Sequence, residues 1–474
     1  MKRFGIIFFW CLYFSGTAYA VEELPASREE VQLSYAKLVK KVGPAVVNIF
    51  ASRQVQSTGE SPLMQDPFFR DFFGEDFFSS NSPTQIQRSL GSGVIVRSDG
   101  IIVTNYHVIR HAEDIRVVLS DGREMDAVVL VKDPRTDLAV LKLDGNHKDL
   151  PFMSLKDVDE IQVGDLVLAI GNPFGLGQTV TTGIVSALAQ TQIGVSDFRS
   201  FIQTDAAINP GNSGGALVAM DGKLAGINTA ILSKSGGSVG IGFAIPSNLI
   251  IPLLESLKYN GKIVRPWMGL NVKTAELAEV NTYGLESPKG VIVMNVYPDS
   301  PAAKAGLKKN DLILAYDGKE LRNEAAFLFR IASQKVTDKV ELTVLEVGGQ
   351  KKTLAVQLEA PTGEDDIKPV VLTGRHPLEG ASVANLTPAL ASDLGEDYMD
   401  LGVVILSVAT GRAAKKVGLL PGDIIQSLND QPIKSVEGLV DRLSKSRGGI
   451  VGKERVSWKI EIKRAGKKYT IVLQ

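Results

Sequence analysis

Short runs of apolar residues, separated by turn-forming residues, dominate the chain between about positions 40 and 250. The runs are four to seven residues long, are rich in Val and Ile, and are bounded by Gly, Asp and Asn. Runs of this length and composition are typical of β-strands. The pattern therefore predicts an all-β barrel or sandwich over this region. The clearest runs lie at 93–96, 101–104, 115–119, 138–143, 166–170 and 224–230.

Two segments at the borders of this region have a helical pattern instead. Residues 35–42 form a short amphipathic lead-in, and residues 250–259 are followed by Asn260 and Gly261. A glycine directly after a periodic apolar segment is a common helix stop. We expect a short helix over 250–259, which marks the end of the β-rich domain.

The C-terminal part contains an ungapped internal repeat. Gly290 and Gly402 each open an apolar strand-like run, and 112 residues separate them. A repeat at fixed spacing predicts two copies of one structural module. The polar segment 361–367 between the copies is the predicted linker. The same spacing relates Ala302 to Ala414, Gly306 to Gly418 and Asp311 to Asp423.

Length and composition narrow the class of protein. A chain of 474 residues predicts about three domains. Hydrophobic residues make up 44% and charged residues 22% of the chain, which is typical of a folded protein with real cores. Lys and Arg number 52 against 53 Asp and Glu, so the formal net charge of −1 argues against a broadly basic nucleic-acid binder.

The N-terminus predicts export. Lys2 and Arg3 precede an apolar run over 4–14, and small residues at Ala18 and Ala20 suit a signal peptidase. The alternative is an uncleaved anchor, but 11 apolar residues fall short of the roughly 20 that span a bilayer. The only cysteine, Cys11, lies within this segment. A chain cleaved after Ala20 is therefore expected to have neither a disulfide nor a catalytic thiol.

A phenylalanine-rich insert interrupts the β-rich region. Six of the 18 phenylalanines fall within residues 68–78, with polar sequence on both sides. Their spacing would align the rings along one side of a short helix. This apolar face either folds back onto its own barrel or contacts another surface. The six are Phe68, Phe69, Phe72, Phe73, Phe77 and Phe78.

A Gly-Asn-Ser-Gly-Gly segment over 211–215 is the sharpest chemical signal. A nucleophilic serine needs small neighbours, so that a substrate carbonyl can approach and backbone N–H groups can converge on the oxyanion. Ser213 fits this requirement. Glycine-rich turns that contain serine are common, however, so the motif needs a base and a carboxylate elsewhere.

Only four histidines are available as a base. His107 follows a strand-like run and precedes a short helical stretch, which is a fixed position on a scaffold. His111, His147 and His376 have no comparable surroundings. A histidine at a strand end also has an ordinary structural interpretation.

Asp137 is the candidate carboxylate. It ends the turn over 133–137 and precedes the apolar run at 138–143, where a short carboxylate can point towards a neighbouring loop. An aspartate at this position is equally explained by turn chemistry. Taken together, however, His107, Asp137 and Ser213 follow the chain order of the chymotrypsin-like serine proteases.

Four strings make a resemblance specific, and through them the chain resembles the HtrA (Deg) family of serine proteases. With the two repeats, which are similar to PDZ domains, nearly the whole chain looks like the DegP/DegQ branch. The resemblance implies a mainly β protein with a chymotrypsin-like double β-barrel protease domain followed by two α+β PDZ domains. The strings are Thr-Asn-Tyr-His-Val at 104–108, Asp-Leu-Ala-Val-Leu at 137–141, Gly-Asn-Pro-Phe-Gly at 171–175 and Thr-Asp-Ala-Ala-Ile-Asn-Pro-Gly-Asn-Ser-Gly-Gly at 204–215.

The resemblance also implies the residue roles. His107 is the expected general base, Ser213 the nucleophile and Asp137 the carboxylate that orients the imidazole, with an oxyanion hole formed by the N–H groups of Gly211 and Ser213. Ile208, Ile231 and Ile241 are placed around the specificity pocket. Because buried methyl groups disfavour charged side chains, we expect small aliphatic residues at the P1 position.

Peptide binding is expected in both repeats. A PDZ domain adds a peptide to a sheet edge and captures its C-terminus with loop N–H groups. The matching loops are Trp267, Met268, Gly269 and Leu270 in the first repeat and Leu378, Glu379, Gly380 and Ala381 in the second. The first loop is more apolar, so we expect it to bind apolar C-termini more tightly. The alternative for the second repeat is a contact used in assembly.

The expected domains are a signal peptide over 1–20, a protease domain over 21–258, and PDZ domains over 259–362 and 370–474. The expected function is that of a periplasmic serine endopeptidase, also a chaperone, which degrades unfolded or misfolded exported proteins. The alternative is a noncatalytic PDZ scaffold that binds unfolded chains. We expect a trimer-based homo-oligomer, with larger cages as an option, and no nucleic-acid partner.

No cofactor or metal is expected. The segment 171–177 is rich in glycine but lacks the lysine of a phosphate-binding loop, and no Cys or His cluster has metal-ligand spacing. The resemblance maps activation loops to 171–178, 191–199 and 233–240. Two residues depart from the family pattern: Gln190 stands where arginine is expected in a relay from the PDZ domain, and Pro210 replaces a basic residue.

Overall fold

The computed structural model describes residues 34–56, 84–172, 177–189, 200–209, 211–231, 240–259, 261–364, 367–395, 402–445, 458–464 and 466–473. The predicted signal peptide, the phenylalanine-rich insert, Gln190 and Pro210 lie outside these residues. So do most of the three predicted activation loops. Within the described residues, no helix is long and apolar enough to cross a membrane.

Six strands form a first closed barrel. They are β1 (Val46–Gln56), β2 (Thr84–Arg97), β3 (Ile101–Asn105), β4 (Asp114–Val118), β5 (Glu124–Asp133) and β6 (Leu138–Leu143). Their order around the barrel is β1-β2-β3-β6-β5-β4. All neighbours are antiparallel, and Ile49, Ile95, Ile102 and Leu141 lie in a buried cluster of this barrel. Each of these six described strands therefore has a neighbour on both sides over at least part of its length.

A second barrel follows the same plan. Its strands are β7 (Leu166–Gly171), β8 (Thr179–Ala189), β9 (Phe201–Thr204), β10 (Ala216–Ala219), β11 (Leu224–Ile231) and β12 (Gly242–Pro246), in the order β10-β11-β12-β9-β8-β7. A buried cluster that includes Val167, Ile202 and Leu217 belongs to this barrel. The apolar runs in the sequence correspond to these strands, so the mainly β prediction is confirmed.

Short helices border the barrels. They are α1 (Ala36–Val42), α2 (Tyr106–Ile109) and α3 (Ile250–Ser256), with 3₁₀ turns at Gly43–Ala45, Val158–Glu160, Ser247–Leu249 and Leu257–Tyr259. Leu38 of α1 and Leu253 of α3 join one buried cluster with residues of both barrels, such as Leu138 and Leu168. This shared core fixes the two barrels against each other. The helix expected over 250–259 is present as α3 and its following 3₁₀ turn.

The first C-terminal module is a sheet with short helices. It contains β13 (Leu270–Thr274), β14 (Val291–Val296), β15 (Leu312–Tyr316), β16 (Lys319–Glu320), β17 (Lys339–Leu345) and β18 (Lys351–Gln357), and α4 (Leu277–Val280), α5 (Pro301–Lys304) and α6 (Glu324–Ala332). A 3₁₀ turn lies at Asn281–Tyr283. The sheet order is β13-β14-β15-β17-β18, with β16 paired to β15, so β13 is an edge strand.

The second module repeats this plan with one added strand. It contains β19 (Val370–Val371), β20 (Ala381–Asn385), β21 (Val403–Val408), β22 (Ile424–Leu428), β23 (Gln431–Pro432), β24 (Trp458–Arg464) and β25 (Lys467–Leu473), and α7 (Pro388–Leu394), α8 (Ala413–Lys416) and α9 (Val436–Lys445). The order is β19-β20-β21-β22-β24-β25, with β23 paired to β22. The strand β20 corresponds to β13, and β19 pairs with β20 on the side away from β21.

Candidate active site

His107 and Asp137 meet because the strands that carry them are neighbours. His107 lies in α2, directly after β3, and Asp137 lies directly before β6. The strands β3 and β6 pair with Asn105 opposite Leu138, so the two side chains start at the same end of the barrel. His107 Nδ1 lies 2.7 Å from Asp137 Oδ2.

The backbone at Asp137 holds the start of α2. Asp137 has a φ of +56°, in the left-handed region where aspartate is tolerated better than most residues. Its carbonyl oxygen accepts hydrogen bonds from the Tyr106 N–H at 3.0 Å and from Asn105 Nδ2 at 3.1 Å. Its carboxylate Oδ1 accepts the His107 backbone N–H at 3.0 Å. The carboxylate therefore fixes both the ring and the main chain of the histidine.

Ser213 lies on the second barrel, in the turn that leads into β10. Ser92 of β2 reaches across from the first barrel to brace this turn. The Ser92 N–H donates to the Ser213 carbonyl oxygen at 2.8 Å, and Ser92 Oγ donates to the Gly211 carbonyl oxygen at 2.5 Å. A methyl group on Gly214, which has a φ of +82°, would lie 2.1 Å from the Ser92 carbonyl oxygen. The turn therefore requires glycine at this position.

Thr229 of β11 connects the serine to the aspartate, and the sequence analysis did not identify it. Ser213 Oγ donates to the Thr229 carbonyl oxygen at 3.1 Å, and Thr229 Oγ1 donates to Asp137 Oδ2 at 2.9 Å. Threonine is an ordinary strand former, so its identity alone carries no signal. The available hint is the polar pair Asn228 and Thr229 within an otherwise apolar strand.

The arrangement determines which imidazole nitrogen can take a proton. Asp137 Oδ2 accepts from Thr229 and lies within hydrogen-bonding distance of His107 Nδ1, and the Asp137 side chain is only 4% exposed. A carboxylate is an acceptor, so Nδ1 carries the proton and Nε2 is the basic nitrogen of the ring. This is the tautomer that a serine protease requires.

Along the turn that carries Ser213, backbone N–H groups with a described acceptor alternate with N–H groups that have none. The Asn212 N–H donates to Asn209 O at 3.0 Å, and the Gly214 N–H donates to Asn228 O at 2.8 Å. Within the described part of the chain, no acceptor is found for the N–H of Gly211 or of Ser213. These are the two groups that the sequence analysis assigns to the oxyanion hole.

The isoleucines expected around the specificity pocket lie in different surroundings. Ile208 is 1% exposed and belongs to the buried cluster of the second barrel. It packs where a side chain on Gly242 would lie. Ile241 is half-buried and packs against the cluster shared by both barrels. Ile231 ends β11, where it pairs with Gly242, and its side chain lies outside the described part of the structure. The pocket therefore stays a prediction.

A buried ion pair joins the Asp137 turn to the first module. Asp133, which is 1% exposed, accepts a hydrogen bond from Thr136 Oγ1 at 2.6 Å and another from the Arg135 N–H at 3.2 Å. Arg265, just before the first module, donates to the same carboxylate at 2.7 Å. The turn that presents Asp137 is thus braced from within and from the chain that enters the module.

A second ion pair joins the 3₁₀ turn at Val158–Glu160, which precedes β7 of the second barrel, to the first module. Arg330 of α6 binds both oxygens of Asp159, at 3.0 and 3.1 Å, and Lys319 Nζ lies 2.5 Å from the same carboxylate. Burial alone would raise the pKa of the Asp159 carboxyl. The hydrogen bonds from Arg330 and Lys319 outweigh burial and hold the pKa below its ordinary value of 3.8.

The predicted peptide loop of the first module is packed into the module. Trp267, Met268 and Leu270 are each less than 10% exposed, and Trp267 stacks edge-on against Tyr297. Gly269 has a φ of +79°, and its carbonyl oxygen accepts the Tyr297 N–H at 2.8 Å. Within the described residues, the N–H of Gly269 has no acceptor.

The corresponding loop of the second module has the same shape. Gly380 has a φ of +85°, and its carbonyl oxygen accepts the Ala409 N–H at 2.9 Å. Leu378 and Ala381 are fully buried, and Glu379 forms an ion pair with Arg412 at 3.0 Å. Here, however, the Gly380 N–H donates to the carbonyl oxygen of Leu372 at 2.9 Å.

Comparison with protein families assigns all three parts of the chain. Residues 91–227 match the trypsin-like peptidase domain, and residues 266–358 and 378–473 each match the PDZ domain. The first match contains His107, Asp137 and Ser213. It runs from within β2 of the first barrel to within β11 of the second.

Similar proteins extend this match over most of the chain. A probable periplasmic serine endoprotease of the DegP-like type from Chlamydia pneumoniae is 38% identical over 432 residues, which cover 88% of this chain and 87% of the relative. The periplasmic serine endoprotease DegP of Escherichia coli K12 is 38% identical over 445 residues, covering 89% and 90%. A solved structure, the HtrA-type protease AlgW with a decapeptide, is 45% identical and covers 69% of this chain and 99% of its own, with a TM-score of 0.49.

Proposed function

This chain belongs to the HtrA family of serine endoproteases, in its DegP-like branch, and we propose that it cleaves unfolded exported polypeptides with Ser213, His107 and Asp137. Its modules are PDZ domains, here named PDZ1 for the match at 266–358 and PDZ2 for the match at 378–473. The relatives are named as endoproteases, which favours this function over that of a noncatalytic scaffold.

The geometry supports a standard acyl-transfer sequence. Ser213 Oγ attacks the scissile carbonyl carbon while His107 Nε2 takes its proton, and Asp137 holds the imidazolium that forms. The N–H groups of Gly211 and Ser213 stabilise the oxyanion of the tetrahedral intermediate. His107 then gives its proton to the leaving amine, and water hydrolyses the acyl-enzyme by the same steps. In the structure, Ser213 Oγ donates to Thr229 O, so the hydroxyl must change its acceptor to His107 before the attack.

The observation that carries the proposal is the hydrogen-bonded set of Ser213, Thr229, Asp137 and His107, which links both barrels. Ser213→Ala removes one oxygen and should abolish cleavage of an unfolded protein without unfolding the chain. Ser186→Ala on β8 is the matched control, because it removes the same atom from a residue outside this hydrogen-bonded set. Full activity in Ser213→Ala would overturn the assignment.

Substrate selection is assigned to the cleft beside Ser213. We expect Val, Ala and similar small aliphatic residues at P1, because Ile208, Ile231 and Ile241 offer methyl groups and no carboxylate. Mass spectrometry of the products from an unfolded substrate maps the cleaved bonds. A majority of cuts after Lys or Arg would contradict this pocket.

PDZ1 is assigned the capture of peptides. Its strand β13 comes last in the sheet order of the described residues, and Gly269, whose N–H has no described acceptor, directly precedes it. An extended peptide can therefore add as a further antiparallel strand, with its C-terminus at the loop. Calorimetry with apolar C-terminal peptides should show binding that Gly269→Val removes, since its side chain would overlap Ser300.

Export and assembly complete the proposal. The relatives are named as periplasmic, and we expect mature chains that begin at Val21, which N-terminal sequencing would establish. We expect a trimer-based homo-oligomer in which the insert at 68–78 contacts other subunits. Each ring contributes on the order of 1.5 to 3 kcal/mol when fully buried, so several rings could drive assembly. Replacing Phe72, Phe73, Phe77 and Phe78 with Ser should change both the sedimentation coefficient and the peptidase rate.

A further inference from the structure

The edge of PDZ2 that would receive a peptide is already covered by the chain itself. The strand β19 pairs antiparallel with β20, with Val370 opposite Val383 and Val371 opposite Ser382. This strand precedes the segment 378–473 that matches the PDZ domain. It follows the linker between the two PDZ domains.

Leu372, directly after β19, lies where the last residue of a bound peptide would lie. Its carbonyl oxygen accepts the Gly380 N–H at 2.9 Å, and its own N–H donates to the Ala381 carbonyl oxygen at 2.8 Å. Its side chain is 2% exposed and belongs to the same buried cluster as Leu439 and Leu443 of α9. The backbone and the side chain of Leu372 are therefore both engaged by PDZ2.

PDZ1 provides an internal comparison. Gly269 and Gly380 occupy matching positions, with similar positive φ angles and carbonyl oxygens that accept from Tyr297 and Ala409. In PDZ1, however, the Gly269 N–H has no acceptor among the described residues, whereas the Gly380 N–H of PDZ2 donates to Leu372 O. The two loops thus differ in whether the described chain itself supplies an acceptor for this N–H.

We propose that residues 370–372 are an internal ligand that keeps the peptide site of PDZ2 closed. The direction of β19 supports this, because its C-terminal end points to the loop at 378–381, as the C-terminus of a bound peptide does. The tether holds this segment at a high effective concentration, so an external peptide binds only after displacing it. The site then accepts an extended apolar chain that ends in Leu after β-branched residues.

The inference rests on the proposed peptide-binding mode of the PDZ domains and not on cleavage. It is tested in the full-length Ser213→Ala chain by hydrogen exchange with mass spectrometry, which reports on PDZ1 and PDZ2 separately. The probe is a synthetic peptide with the sequence Asp-Ile-Lys-Pro-Val-Val-Leu and a free carboxylate. It copies residues 366–372 of the chain.

In the chain that carries only Ser213→Ala, we expect the probe to leave exchange at 378–385 unchanged. Leu372→Ala should speed exchange there by at least about tenfold, and saturating probe should slow it again by a similar factor. Leu419→Ala is the matched control, because it truncates another leucine of the same buried cluster, one that belongs neither to β19 nor to the loop at 378–381. It should not create probe binding.

A reversible lock tests the same idea without loss of packing. Val371→Cys and Ser382→Cys place two thiols at directly opposite positions of β19 and β20, in a mature chain otherwise free of cysteine. Added to Leu372→Ala, this pair should block the probe when oxidised and admit it when reduced. The proposal is overturned if the Ser213→Ala chain binds the probe at PDZ2 as well as the Leu372→Ala chain does. It is also overturned if the Leu372→Ala chain opens but gains no binding, or if Leu419→Ala has the same effect.

Discussion

Thr229→Val tests whether the hydroxyl of Thr229 holds the carboxylate of Asp137 in its catalytic position. The substitution keeps the shape of the side chain and removes the donor that lies 2.9 Å from Asp137 Oδ2. A hydrogen bond to a charged group contributes about 1.5 to 3 kcal/mol. At about 1.36 kcal/mol for each factor of ten in rate, kcat should fall by roughly 10- to 150-fold.

The assay is steady-state cleavage of a fluorogenic peptide that ends at P1 Val. The substitution removes only the hydroxyl that contacts Asp137 and keeps the Thr229 carbonyl oxygen that Ser213 contacts. We therefore expect the loss in kcat with little change in KM. Thr229→Ser is the matched control, because it keeps the hydroxyl and should retain most of the activity. If Thr229→Val kept activity within about twofold, or if Thr229→Ser lost as much, the positioning role would be refuted.

Two further predictions follow from close packing and from charge. Gly214→Ala should abolish activity and lower Tm, because the new methyl group would lie 2.1 Å from the Ser92 carbonyl oxygen. Gly164→Ala is the control: its methyl group would lie in open space at a φ of +99°, so it should cost only about 1 to 2 kcal/mol of stability and keep activity. The pKa of Asp159 is lower in the folded protein than its ordinary value of 3.8. Its ion pairs with PDZ1 therefore stabilise the fold fully at pH values above 3.8. This stabilisation is lost as the pH falls through the lower pKa of the folded state. Thermal unfolding should therefore show Asp159→Asn less stable than the parent at pH 5 to 7, with the difference shrinking below pH 3.8; a difference that stays constant with pH would contradict the ion-pair explanation.

The sequence predicted the strands better than the way in which they close. Short apolar runs marked β3, β6 and β7, because buried strands carry an obvious local pattern. Whether such strands form a sandwich or a barrel depends on pairings between distant strands, such as β1 with β4. Local periodicity does not contain that information.

Contacts between residues distant in the chain were likewise not predictable for the active site. The chain order of His107, Asp137 and Ser213 was visible in the sequence, since each lies in a recognisable local motif. Ser92 and Thr229 were missed, because their importance arises only from contacts across the fold, such as the bond from Ser92 to Gly211, 119 residues away.

The second peptide loop shows a third kind of limit. The structure places Gly380 directly before β20. The strand that covers this edge was not foreseen, because β19 contains only Val370 and Val371. Two residues after a polar linker are too short a run to predict a strand. Its pairing with β20 is a tertiary feature that only the structure reveals.

The most direct measurement of the central claim is the identity of the residue that reacts as the nucleophile. A fluorophosphonate probe phosphonylates an activated serine, and tandem mass spectrometry then locates the adduct. We predict a single adduct on Ser213 that is lost in His107→Ala, because the serine depends on that base for its reactivity. An adduct on another serine, or undiminished labelling of Ser213 in His107→Ala, would contradict the account.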